Sequence, residues 1–143
     1  MADVVVINAH HRIRVPKKPI QAYVRRVMGT RRGWVSVVLL DSRRCRAINR
    51  RFLQHDFVPD VIAFPLETER TLEGEIYVNL DRAKQQARDY HVRFAEEVAR
   101  LVIHGALHLL GYDDRTKRSA QRMHRVQERQ VRFWFPHDRR NTS

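Results

Sequence analysis

Between Leu101 and Leu110 the chain is apolar at every position except His104 and His108. Two imidazoles buried there without partners would each cost roughly a few kcal/mol. The run therefore constrains the fold: a central helix whose two histidines must be satisfied together. Residues four apart share a helix face, so His104 and His108 point the same way and can grip one ion. Gly111 can take the left-handed conformation that ends a helix. The chain then reverses, and Asp114 can swing back toward the imidazoles. Two His and one carboxylate leave a fourth position open, the pattern of a catalytic zinc site. The expectation is one Zn²⁺ per chain on His104, His108 and Asp114, with the adjacent Asp113 able to substitute if the turn differs. With 8 histidines in the chain the spacing alone is weak; the apolar setting gives it weight. Gly105 stands where H-E-x-x-H metalloproteases carry their glutamate, which argues against that class.

At 143 residues, 43% of them hydrophobic, the chain fits one domain with one core. The lone Cys45 cannot form an intrachain disulfide, which suits a reducing compartment. No apolar run approaches the roughly 18 residues of a membrane span. Val4–Ile7 is too short for a secretory leader and is followed by His10-His11-Arg12. The expected location is the cytoplasm, with no membrane partner. The net charge is +12 and unevenly placed. Residues 1–56 carry 13 basic and 3 acidic side chains, residues 57–114 carry 6 and 11, and residues 115–143 carry 9 and 2. An acidic segment with the candidate site thus lies between two basic flanks. That arrangement suits a polyanionic substrate, nucleic acid first, over a merely solvated cationic face.

Along the chain, Val4–Ile7 reads as a strand. A helix follows Pro19, with Ile20, Tyr23, Val24, Val27 and Met28 at helical spacing and Gly29 and Gly33 as stops. Trp34–Leu40 reads as a buried strand. Asp41 or Ser42 caps a helix that turns Cys45, Ile48, Asn49 and Phe52 inward and Arg43, Arg44, Arg46 and Arg50 outward. Leu53–Pro59 is a loop, Asp60–Phe64 a strand closed by Pro65, Leu66–Glu73 turn-like, and Gly74–Asn79 a strand. Asp81 caps a helix through Tyr90. The helix of the histidines follows, with Phe94, Val98, Leu101, Val102 and Gly105 on its apolar side. A last helix spans roughly Lys117–Phe133, with Met123, Val126 and Gln130 amid Arg122, Arg125, Arg129 and Arg132. Trp134 and Phe135 tuck back, and residues 137–143 fray. The order βαβαββααα implies an α+β fold: one domain over 1–143, a small mixed sheet of about four strands and about five helices, with the metal site at the end of a central helix.

The string His104–Asp114 resembles the H-G-x-L-H-L-x-G-Y-D-H motif of the YbeY family of metal-dependent endoribonucleases. Upstream, Glu97-x-x-x-Leu101-x-x-His104 is similar to that family's approach to the motif. Gly74-Glu75-Ile76 with Arg82-Ala83 resembles its G-D-I strand and following helix. Asn49-x-x-Phe52 and Asp60–Pro65 are similar to its L-N-x-x-Y-R and T-D-V-L-S-F-P segments. The resemblance implies a single-strand-specific endoribonuclease of rRNA maturation, acting at the 3′ end of small-subunit rRNA and in ribosome quality control. It also implies a small-subunit ribosomal protein or a ribosome-associated GTPase as partner. Asp114 stands where most members have His, Pro59 replaces a Thr, and Leu53 replaces an arginine that handles RNA at the cleft. Arg50 or Arg51 is the candidate stand-in, and Arg122 and Arg125 add a weaker RNA-binding expectation. The general base stays open between metal-bound hydroxide and an RNA 2′-OH nucleophile. The competing reading is a non-catalytic ribosome assembly or RNA-binding factor whose metal is structural. A third, a metallohydrolase of small substrates, leaves the basic flanks unexplained.

Overall fold

The computed structural model describes residues 2–66 and 71–136. Its elements are β1 (Asp3–Asn8), α1 (Lys17–Met28), β2 (Gly33–Leu40), α2 (Ser42–Leu53), β3 (Val61–Leu66), β4 (Leu72–Asn79), α3 (Leu80–Asp89), α4 (Phe94–Leu109) and α5 (Lys117–Trp134). The strands form one sheet in the order β1-β2-β4-β3. β1 and β4 run parallel to β2, and β3 is antiparallel to β4. The α+β reading with four strands and five helices holds, and no helix among the described residues is long and apolar enough to cross a membrane.

β2 and β4 are the inner strands, and Val35, Val37, Leu39, Ile76 and Val78 are fully enclosed. Helix α4 packs on β4 and β3 and also meets α1, α3 and α5. Its buried set therefore exceeds a single stripe: Val98, Ala99, Leu101, Val102, Ile103, Ala106, Leu107 and Leu109. At roughly 25 cal/mol per Å² of apolar surface, this helix is the main contributor to the core. Gly105 lets it descend onto the sheet, since a Cβ there would meet Ile76 Cγ2 at 2.6 Å. Past α4, Gly111 has φ +100° and reverses the chain, as the motif implied.

Local detail departs from the sequence reading in several places. β4 begins at Leu72, two residues early, and β3 continues through Pro65 to Leu66. As an edge strand β3 tolerates a residue with no N–H. Asp41 caps α2 by accepting from the Arg44 N–H. α3 is capped by Asn79, whose side chain accepts from the Arg82 N–H, and not by Asp81. Asp81 is drawn off by the Ser42 N–H and by His10 Nε2 at 2.8 Å. Phe52, expected inward, is 61% exposed, its ring set edge-on against Phe64 of the edge strand β3 with centroids 6.1 Å apart. On α5 the buried residues are Met123, Gln127 and Val131, so Gln127 is enclosed where Gln130 was expected. Trp134 and Phe135 do fold back, against Tyr23. The expected fraying of 137–143, and residues 67–70 of the turn expected over Leu66–Glu73, lie outside the described residues.

Candidate metal centre and its cleft

His104 and His108 project from the last two turns of α4 into a cleft of about 350 Å³. The opposite wall comes from the end of α2, the loop after it and the start of β3: Asn49, Leu53, His55, Phe57, Pro59, Asp60 and Val61. The two Nε2 atoms stand 3.1 Å apart. His104 Nδ1 lies 2.6 Å from Gln127 Oε1. Gln127 in turn donates from Nε2 to Glu128 Oε2 at 3.0 Å. An amide with its nitrogen on a carboxylate turns its oxygen to the imidazole, so His104 donates from Nδ1 and keeps a lone pair on Nε2. The two Nε2 atoms thus share one electrophile, a proton or a metal ion. Burial, and then the neighbouring His104, lower the His108 pKa; Asp114, a hydrogen bond to the Tyr112 backbone and Asp113 oppose this. Below that lowered pKa, protons compete with any ion for the site.

The donor set fits zinc. A tetrahedral ion with bonds of about 2.0–2.1 Å spaces its ligands about 3.3 Å apart, and the imidazole separation of 3.1 Å is close to that edge. The two candidate aspartates sit differently. Asp114 is exposed and lines the cleft with the histidines. Asp113 lies over a neighbouring hollow with Arg31, Ser119 and Arg122, where its carboxylate accepts from the Arg115 N–H and Nη2, both at 3.1 Å. Among the described residues no three His, Cys, Asp or Glu side chains are gathered closely enough to hold an ion as they stand. Asp114 is thus beside the imidazoles but not closed onto them.

The facing wall is held by two asparagines. α2 ends at Gln54, left-handed with φ 57°. Asn49, 1% exposed, accepts the His55 N–H on its backbone carbonyl and donates from its side-chain amide to the Phe57 carbonyl, both at 3.2 Å. Asn79 donates from its side-chain amide to the Pro59 carbonyl at 3.0 Å and from its backbone N–H to the Asp60 carbonyl at 2.8 Å. Together they pin His55, Phe57 and Pro59 at the mouth. The sequence placed Asn49 on a buried helix face but gave no sign of this clamp, which depends on the loop's return. It likewise missed His55 and Gln127.

The candidate arginines lie around the cleft, not in it. Arg50 lines an adjoining hollow with Arg43 and Arg46, and its Nε is 3.7 Å from Asp56. The Arg51 guanidinium lies 5.4 Å over the Phe52 ring. Arg122 lies 5.4 Å over Tyr112, on the far side of the Gly111 turn, and Arg125 is exposed on α5. Leu53 lines the cleft itself, and the lining described contains neither Arg nor Lys.

A central helix thus presents paired imidazoles at one end, over a mixed sheet with a basic rim. The family model described as Endoribonuclease YbeY matches residues 6–134. The chain belongs to that family. A Chlorobium phaeovibrioides relative named Endoribonuclease YbeY is 34% identical over 132 residues, covering 89% of each chain. A Chlorobium limicola relative of the same name is 40% identical over 94 residues, covering 66% of this chain and 65% of its own. The solution structure of TM1509 from Thermotoga maritima superposes with a TM-score of 0.60 at 26% identity, over 92% of this chain and 87% of that one.

Proposed function

We propose that this chain is an endoribonuclease, a hydrolase of internal phosphodiester bonds, whose reaction centre is the cleft between α4 and the α2–β3 loop. One observation carries the reading: in a member of the Endoribonuclease YbeY family, His104 and His108 converge their Nε2 atoms in an open cleft. His104, His108 and Asp114 are the residues that would hold one Zn²⁺ there. Bound there, the ion supplies Lewis-acid chemistry to a phosphodiester.

The chain's own residues do the rest. Arg43, Arg46 and Arg50 form a basic hollow beside the cleft that suits the backbone of an incoming strand. Phe52 and Phe57, 61% and 56% exposed, offer flat apolar faces to unpaired bases, which favours single-stranded RNA. Leu53, Val61 and Ile62 line the floor with apolar surface and limit water there. The biological setting we assign is cytoplasmic maturation of rRNA at the small-subunit 3′ end with ribosome quality control, alongside a small-subunit ribosomal protein or a ribosome-associated GTPase.

The test is cleavage of end-labelled single-stranded RNA by the purified chain, with zinc content measured on the same samples. Wild type should cut and carry zinc, and His108→Ala should lose both. Zinc retained by His108→Ala would remove the site from this position. A second reading has its own support, since the cleft lining described holds no arginine: the chain binds rRNA as a non-catalytic assembly factor with a structural ion. Zinc and salt-sensitive RNA binding without cleavage would favour it.

A further inference from the structure

Gln127 sits on α5, 23 residues from His104 in sequence, and is only 8% exposed. Its orientation is dictated from behind. Glu128 is gripped by Arg100, which donates from Nε to Oε2 at 2.9 Å and from Nη2 to Oε1 at 3.0 Å. Arg100 also reaches Glu97 at 2.8 Å and Glu96 at 3.0 Å, so the guanidinium is fixed on several sides. Burial would raise the Glu128 pKa, but hydrogen bonds from Arg100 and Gln127 and the guanidinium charge hold it below the ordinary glutamate value. An ionised carboxylate can only accept, so it selects the NH₂ end of the Gln127 amide. A flipped amide would set oxygen against carboxylate and NH₂ against the imidazole. The amide oxygen is thereby left for His104, and only the Nδ1–H form of the ring can donate to it.

We propose that Gln127 is the positioning residue of the His104–His108 centre, locking His104 in the Nδ1–H tautomer with its Nε2 lone pair in the cleft. This rests on the zinc assignment above for its purpose, but not for its geometry. The Arg100–Glu128 pair orients the amide, the amide orients the ring, and the ring presents one nitrogen to the ion. The chain of bonds also ties the end of α4 to α5, so the centre and the α4–α5 contact are set together. Partners of this kind fix the ring and raise its basicity as a ligand, and their loss typically costs about 10- to 100-fold in metal affinity.

The test uses the full chain, metal-free, with ¹⁵N-labelled histidine. Long-range ¹H–¹⁵N spectra should show His104 as a single Nδ1–H tautomer in wild type. Gln127→Leu keeps the bulk and loses both bonds. It should show mixed tautomers at His104 and bind zinc about 10- to 100-fold more weakly in a chelator competition. Glu128→Gln leaves the Gln127 side chain in place but removes the carboxylate that selects its NH₂ end, so it should also show mixed tautomers at His104, which a purely packing role for Gln127 would not predict. Unchanged tautomer and unchanged affinity in Gln127→Leu would overturn the proposal, as would a single Nδ1–H tautomer in folded Glu128→Gln. If Gln127→Leu does not fold, the Glu128→Gln comparison decides. Wild type that binds no zinc would overturn the metal assignment instead, while the wild-type spectrum would still decide the tautomer lock.

Discussion

On the α4–α5 side of the cleft, Arg100 is shared by Glu96, Glu97 and Glu128, whose side chains are 15%, 2% and 20% exposed. On the α2 side, Arg46 and Arg50 share Asp56, with side chains 50%, 64% and 62% exposed. Both are arginine–carboxylate clusters beside the same cleft, and solvent separates their consequences. Water screens the outer cluster, so it contributes little to stability and its arginines can be released to another anion. The inner cluster is shielded, so removing one member leaves an uncompensated buried charge. The inner wall therefore holds geometry, and the outer wall is free to exchange its partners for another anion, as the proposed RNA substrate would require.

The sharpest way to break this contrast is to delete one arginine from each wall. Arg100→Met should lower unfolding stability by about 3–5 kcal/mol in urea titrations, and Arg46→Met by no more than about 1 kcal/mol. Equal losses would mean the walls do not differ. The next effect is at the turn that joins them. Asp114→Ala should loosen zinc in a competition assay and Asp113→Ala should not, because Asp113 is occupied by Arg115; the reverse result would exchange the two assignments.

Smaller effects sharpen the outer wall. Phe52→Ala or Phe57→Ala should weaken single-stranded RNA by about 1–3 kcal/mol for each base stacked. Arg50→Gln should reduce the log–log salt slope of binding by about 1 if it neutralises one phosphate. A flat salt dependence in wild type would mean that the basic rim only faces water. The smallest effect concerns acid. Burial would raise the Asp81 pKa, but the His10 and Ser42 hydrogen bonds and nearby cationic charge carry it below the ordinary aspartate value. A depressed carboxyl stabilises the fold above its unfolded pKa and loses that contribution as pH falls through the folded value. Asp81→Asn should therefore flatten the acid limb of melting temperature against pH. The change should be slight, since the Asp81 side chain is 44% exposed.

What the sequence determined by itself was set by neighbours within a few residues. The β-branched runs became β1 and β2, Asp41 capped α2, and the four-residue spacing put His104 and His108 on one face with a glycine reversal after them. Helical registers, caps and turns are governed by contacts of that range. Tertiary structure decided what depends on partners far along the chain. Asp81 gave up the helix cap to Asn79 because His10, 71 residues away, claims its carboxylate. Phe52 kept its place on α2, yet its ring meets the edge-strand residue Phe64 and is left 61% exposed. Arg50 stayed on α2, yet that helix directs it to an adjoining hollow and leaves Leu53 in the cleft. Gln127 looks like any polar residue on a basic helix until α5 packs on α4. Only that packing sets it against His104 and Glu128 at once, where a buried amide must satisfy both of its ends.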